Sequence, residues 1–287
     1  MRLFSYVANG VEDVAVRRGE DAIVVSSLSP ELPKDLLGLI KAGEPAFEHL
    51  SGLLRAGKGA AIDQSTVTYL PLLPHPPKII CVGLNNPEHA AEVKMEVPDF
   101  PLLFTRFAST LVGHEQPILK PLVSDRLDYE SEMVAIIGRK AHYVPKETAL
   151  EHVAGYSVFN EASIRDYQFR TSQFTIGKNF DGTGAFGPDF VTADELPPGA
   201  RGLAITARLN GRTMQSATVS DFIFDVATLV SMISEVMTLF PGDVIVTGTG
   251  GGVGFTRMPP IFMKHGDVCE CEVEGVGLLR NPIRNEV

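Results

Sequence analysis

The sequence is short of cysteine and of positive charge, and it has no hydrophobic run of membrane-spanning length. Its three cysteines, Cys81, Cys269 and Cys271, are an odd number without metal-finger spacing. Neither a disulfide framework nor a zinc finger therefore organises the fold. Cys269 and Cys271 share one face of an expected strand, but neighbours two apart rarely bridge. The chain reads as reduced and cytosolic. Lys and Arg number 25 against 35 Asp and Glu, a formal net charge of −10. That balance disfavours nucleic acid or an anionic membrane as a partner. Small anionic substrates stay open, because a metal and a few cations can reverse the sign inside a pocket. Met1–Val7 lacks the shape of a signal peptide. No internal repeat or low-complexity segment is found.

What the chain does contain is apolar residues at 44% and charged residues at 21% of 287 positions. This is the balance of an ordinary soluble globular protein with a sizeable core. The length allows one large domain or a small one joined to a larger. Alternation predicts strands at Arg2–Val7, Val11–Arg17 and Asp21–Ser27, with turns at Asn9-Gly10 and Arg18-Gly19-Glu20. Helical patches follow at Leu36–Ile40 and Ala46–Ala56. Pro71, Pro74, Pro76 and Pro77 then force extended backbone and mark a boundary. The expected division is a small amino-terminal α/β domain over residues 1–70 and a main domain over residues 71–287.

From Lys78 onward strands dominate, at Lys78–Gly83, Leu102–Phe107, Met133–Ile137, Tyr156–Phe159, Ala204–Leu209, Asp243–Thr247 and Asp267–Val273. A short helix is expected near Glu88–Val93. One long amphipathic helix is expected over Ser220–Leu239, with Phe222, Phe224, Leu229 and Ile233 in its apolar set. Many strands, few helices and no βαβ alternation predict an α+β fold around a mixed, rolled or barrel-like sheet.

Several constellations can carry chemistry. Glu130 and Glu132 lie two apart on an expected strand and project from one face. Paired acids on a buried face need a positive centre, and carboxylates alone select a hard divalent cation such as Mg²⁺, Mn²⁺ or Ca²⁺. A solvent-facing strand edge fits the same pattern. His89 and Glu92 share a helix face, so the carboxylate can orient the imidazole and raise its basicity. A surface histidine with a salt-bridging partner fits equally. Lys178 can clamp an oxyanion or shuttle a proton, or it is a plain loop lysine. Gly248 and Thr249 head the glycine run Gly248–Gly254, whose N–H groups and hydroxyl can bind a carboxylate or phosphate, or which is a plain turn. A dinucleotide fold is excluded there because Pro259-Pro260 follows instead of a helix, and no Walker Lys-Ser or Lys-Thr is present.

These segments, in this order, resemble the fumarylacetoacetate hydrolase family over nearly the whole main domain. The resemblance rests on Ile80–Asn85, His89-Ala90-Ala91-Glu92, Leu127–Glu132, Ile136–Arg139, Asn160–Gln168, Gly177-Lys178, Pro241–Thr249, Gly252-Val253-Gly254 and Gly266-Asp267. It implies a mixed β-roll catalytic domain with a small amino-terminal domain, commonly assembled as homodimers. It implies Mg²⁺, or Mn²⁺ or Ca²⁺, held by Glu130, Glu132 and Glu161. It makes His89 and Glu92 a lid dyad that activates water or moves a proton. Lys178 becomes catalytic or oxyanion-stabilising, and Arg106, Gln168, Gly248 and Thr249 become contacts for a small anionic oxo-acid. Four positions depart from the usual pattern: Glu161 for Asp, Asn86 for Tyr, Arg106 for Lys and Gly250 for Pro. The leading expectation is metal-dependent hydrolysis of a carbon–carbon bond in a β-diketo acid of acylpyruvate or fumarylpyruvate type, through a metal-bound enolate. The alternatives are a tautomerase, isomerase or decarboxylase of a 2-oxo-dicarboxylate such as oxaloacetate, or a non-catalytic metal-binding protein.

Overall fold

Every residue of the strand Ser131–Ile137 is buried, and so is all but Ala154 of its antiparallel neighbour Val153–Glu161. A strand buried on both faces belongs at the centre of a sheet. A computed structural model describes residues 1–19 and 21–287, with 36% of the chain in strand and 24% in helix. Among the described residues these two strands sit in the middle of a 12-stranded sheet. On one side follow Val244–Thr249, then Ile79–Gly83 in parallel with it, then the edge strand Leu102–Thr105. On the other side follow Gly184–Thr192 and then the amino-terminal strands Arg2–Ala8, Val11–Arg18 and Asp21–Val24. A second sheet of five strands has Ala204–Leu209 and Val268–Val273 at its centre.

The two faces of Ser131–Ile137 are covered differently. Met133, Ala135 and Ile137 join the core shared with Ile205, Ala207, Cys269 and Cys271 of the second sheet and with the helix Val226–Val236. Val134 and Ile136 face the opposite way, onto Leu36, Leu39, Ile40 and Leu50 of the helices Leu36–Ala42 and Glu44–Arg55. Truncating one such leucine to alanine would cost about 2–5 kcal/mol. Glu130 and Glu132 continue this second face in register with Val134 and Ile136. The amino-terminal helices thus cover the same face of the sheet that carries the acids further along.

The amino-terminal strands do not close on themselves. Arg2 and Leu3 pair with Val191 and Phe190, so residues on the far side of the proline connector complete the same sheet. The glycine-rich run Gly182–Pro188 enters the fully buried strand Gly184–Thr192. A Cβ on Gly184 would lie 2.8 Å from Arg106 Nη1 and 3.0 Å from the Phe159 ring, so glycine there permits close packing. The long helix starts later than its pattern predicted, at Val226. Asp225 caps it by accepting from the Thr228 N–H at 2.8 Å. Phe222 and Phe224 are buried from the preceding loop, where the Phe224 N–H donates to Asn85 Oδ1 at 2.8 Å.

Candidate active site

The register of the two central strands sets the floor of the site. Ser131 pairs with Asn160 and Glu132 with Phe159, and the Glu161 N–H donates to the Glu130 carbonyl at 2.9 Å. Glu130, Glu132, Phe159 and Glu161 therefore project from one face. Each acid has its own partners. Glu130 Oε1 lies 2.7 Å from Arg165 Nη2, and its Oε2 accepts from Lys178 Nζ and from Ser163 Oγ. Glu132 Oε2 accepts from the Gly248 N–H at 2.6 Å. Glu161 Oε1 is paired with Arg106 Nε, and its Oε2 is buried with no hydrogen-bond partner.

The electrostatics follow from this arrangement. Burial alone would raise the Glu130 carboxyl, but Arg165, Lys178 and His89 together hold it well below the usual carboxylate range. Glu132 goes the other way, pushed far up by burial and by the facing charges of Glu161 and Glu130. Burial, then Glu161, likewise raises the Cys81 thiol at the back of the site.

A lid helix, Pro87–Glu92, follows the strand Ile79–Gly83 through Leu84, whose φ of 55° is strained for a side chain that branches at Cγ. Asn86 caps the helix, its Oδ1 accepting from the N–H groups of Glu88 at 2.9 Å and His89 at 3.1 Å. That accounts for asparagine at 86. His89 Nδ1 meets Glu92 Oε1 at 2.7 Å, and Glu92 Oε2 accepts from the Gly252 N–H at 2.9 Å and Thr256 Oγ1 at 3.1 Å. Burial raises the Glu92 carboxyl, but the bonds from His89, Gly252 and Thr256 outweigh it and lower it.

Between this helix and the floor lies a small open cavity. His89, Glu130, Glu132, Gln168, Lys178 and Thr249 all line it. Glu92 stands behind His89 and anchors it. Three other expected residues do not line it. Arg106 is 3% exposed, and its guanidinium is committed to Glu161, the Ala162 carbonyl and Thr183 Oγ1. The expected substrate contact at Arg106 is corrected on that ground: its charge is spent beneath the floor. Gly248 donates its N–H to Glu132, so it shapes the acid cluster and is not a free donor for substrate. Glu161 is wholly buried beside Arg106. Gly250 is not loose either. It is buried, its carbonyl accepts from Gln215 Nε2 at 2.8 Å, and a Cβ there would lie 2.5 Å from Ala217.

Sequence reasoning missed Arg165, which ties Glu130 to Asp128 at 2.8 Å and to Gln168 at 2.9 Å. The need of buried acids for matching cations was the available signal. It also missed Gln215, which holds Ser131, Thr249 and Gly250 in place. Four phenylalanines around the cavity, Phe104, Phe169, Phe174 and Phe255, were not singled out at all.

The donor set suits a hard divalent cation: carboxylate oxygens only, one of them buried without a partner, and one acid whose ionisation two others suppress. Added positive charge between the acids would relieve both features. Among the described residues, however, no three His, Cys, Asp or Glu side chains are gathered at ligating geometry, and Glu130 and Glu161 are paired with Arg165, Lys178 and Arg106.

A carboxylate floor on a mixed sheet, closed by a His–Glu lid, defines the class. The chain belongs to the fumarylacetoacetate hydrolase family, whose Fumarylacetoacetate (FAA) hydrolase C-terminal model matches residues 78–284, and is an enzyme of that family. Among curated relatives, the Fumarylacetoacetate hydrolase domain-containing protein 2 homolog of Dictyostelium discoideum is 45% identical, over 73% of this chain and 72% of its own. The mitochondrial oxaloacetate tautomerase Fahd2a of Rattus norvegicus is 35% identical, over 99% of this chain and 91% of its own. Among solved structures, the fumarylacetoacetate hydrolase of Exiguobacterium antarcticum superposes with a TM-score of 0.85 at 33% identity, covering 100% of both chains. The maleylpyruvate hydrolase of Sphingobium sp. SYK-6, solved with manganese(II) and pyruvate, gives 0.81 at 27% identity, again covering 100% of both chains. The mitochondrial name of the rat relative does not match the cytosolic expectation for this chain. Among the described residues no helix is long and apolar enough to cross a membrane.

Proposed function

We propose that this enzyme interconverts the enol and keto forms of a 2-oxo acid, with oxaloacetate as the first substrate to test. Its carrying observation is the lid dyad, His89 Nδ1 on Glu92 Oε1 at 2.7 Å, set over a cavity floored by Glu130, Glu132 and Lys178. The oxaloacetate tautomerase among its relatives supports this reading over bond hydrolysis. Glu130, Glu132 and Glu161 are the residues that would hold a divalent ion, Mg²⁺ or Mn²⁺. When bound, that ion supplies Lewis-acid polarisation of the 2-oxo group.

The protein's own groups do the rest. Glu92 occupies Nδ1 of His89 and is itself tied to Gly252 and Thr256, so Nε2 is the ring atom left to carry a proton. In ketonisation the proton on the enol oxygen leaves and one arrives at C3, with no net change in composition. The Lys178 ammonium stabilises the negative charge that develops on the substrate oxygen. The Gln168 side-chain amide, its oxygen held by Arg165, orients the substrate carboxylate by donating its N–H, while the Thr249 hydroxyl is committed to the Ser131 carbonyl and to Gln215. The apolar walls keep bulk water from competing for the proton.

Hydrolysis of an acylpyruvate is the second reading. The same dyad could take a proton from water, and a maleylpyruvate hydrolase shares the fold. The test follows the enol absorbance of oxaloacetate while assaying acylpyruvates for a released acid. Faster enol decay that chelator abolishes and Mg²⁺ or Mn²⁺ restores is the expected result, with a loss of about 10²–10⁴-fold in His89→Ala. A released acid, with the enol decay of oxaloacetate unaffected by enzyme, would replace this reading with the hydrolytic one.

A further inference from the structure

The lid is anchored to a glycine run that cannot hold a shape by itself. Gly250, Gly251 and Gly252 follow one another, and Gly252 has a φ of 101°, a conformation that strains any side chain. Glycine is too permissive for three in a row to aim a hydrogen-bond donor unaided. The Gly252 N–H is nonetheless aimed. It meets Glu92 Oε2 at 2.9 Å, and Glu92 Oε1 meets His89 Nδ1 at 2.7 Å.

The clamp is on the other side of the same residue. The Gly252 carbonyl accepts from Arg257 Nη2 at 3.0 Å, from Arg257 Nε at 3.3 Å and from the Tyr129 hydroxyl at 3.2 Å. Arg257 Nη2 also donates to the Met214 carbonyl, on the second-sheet strand Arg212–Thr218. Arg257 Nε lies 3.2 Å from the Tyr129 oxygen, and Tyr129 stands in the chain between Asp128 and Glu130. The approach is close, since a Cβ on Gly252 would lie 2.3 Å from the Met214 oxygen. One planar guanidinium thus ties together the glycine run, the second sheet and the residue that precedes Glu130.

Arg257 is half-buried, and these bonds commit its charge to backbone oxygens and a phenol. It does not line the cavity, so its reach toward the chemistry runs through its neighbours. Beyond Gly252 the next bond is to Glu92, and beyond that to His89. The tautomer of a histidine is set by the bond that its other ring nitrogen makes. We infer that Arg257 is a positioning residue for the His89–Glu92 dyad: by fixing Gly252 it holds Glu92 on His89 Nδ1, which keeps the imidazole in the tautomer whose Nε2 is bare. The inference rests on the dyad moving the substrate proton, as proposed above, but the state of His89 can be read without turnover.

The experiment compares the native protein with Arg257→Met and Tyr129→Phe, each as the Mg²⁺-loaded full chain, with melting curves to show folding. Nitrogen-15 shifts of the His89 ring at about pH 8, where a free imidazole is neutral, report the tautomer. Enol decay of oxaloacetate reports kcat and KM. The native ring is expected to show a protonated Nδ1 and a bare Nε2. In Arg257→Met the two shifts should move toward each other as tautomers mix, and kcat should fall about ten- to hundredfold with KM changed less than about threefold. Tyr129→Phe, which removes one of the three bonds to the Gly252 carbonyl, should move both readouts the same way by less. Unchanged His89 shifts in Arg257→Met, or a kcat within about twofold of native, overturns the inference. If Arg257→Met does not fold, Tyr129→Phe decides by the same two readouts. If the native protein does not speed enol decay, the tautomerase reading fails, and the His89 shifts alone decide whether Arg257 positions the dyad.

Discussion

At the floor of the cavity, buried charges are matched pair by pair on the central strands of a large sheet. At the rim, a six-residue helix is held by one cap and one anchoring glutamate. The floor buys its precision with desolvated ion pairs, which are costly to break but contribute little net stability while intact. The rim is held by bonds worth about 1 kcal/mol each, so it can open without unfolding what lies beneath.

That contrast can be broken at the floor first. Arg106→Met leaves Glu161 buried beside Glu132 without its cation, and a loss of about 3–5 kcal/mol is expected in urea unfolding with chelator present. Arg106→Met with Glu161→Met should recover most of that loss. A single-variant cost below about 1 kcal/mol would show that the floor is not coupled by charge. At the rim the expected effect is smaller. Asn86→Ala removes the cap from the lid helix and should cost about 1 kcal/mol locally, read as faster amide exchange in residues 86–93 with the central strands unchanged. Equal loss of protection in both regions would mean that lid and floor open as one unit.

The smallest effect is a pH dependence carried by Glu92. Its carboxyl is lowered in the folded protein, so its contribution is present above the ordinary carboxylate range and is lost as pH falls through the folded value. The melting temperature of the native protein should therefore fall faster than that of Glu92→Gln as pH drops from about 5 to about 3. Parallel falls would remove Glu92 from the account of how the lid is held.

Much of this was legible in the sequence because it is local. Alternation placed Glu130 and Glu132 on one face, and helical spacing placed His89 beside Glu92; both pairs have those positions. What escaped depends on register and on direction. Glu161 lies opposite Glu130 only because two strands pair at one offset, and nothing within either strand states that offset. Arg106 was legible as a charge but not as a charge turned away from substrate; the longer acid at 161 meets it under the floor. Phe222 and Phe224 obey helical spacing yet fill the core from a loop, because Asp225 caps the helix just after them. Gly184 lies within a central strand, where it admits neighbours that a side chain would exclude. In each case tertiary contact overrode a local preference.

The pairing of Arg2 and Leu3 with Val191 and Phe190 also has a consequence during synthesis. Arg2–Ala8 leaves the ribosome some 180 residues ahead of this sheet partner. At about 5–20 residues per second the wait is roughly ten to forty seconds. Throughout it Arg2–Ala8 has its hairpin neighbour Val11–Arg18 on one edge and only Thr68-Tyr69 against Tyr6 and Val7 on the other, and Leu3, fully buried in the finished protein, lacks Phe186 and Phe190. A nascent chain of this kind offers an open strand edge to whatever binds unpaired strands, for as long as translation takes to reach Gly184–Thr192.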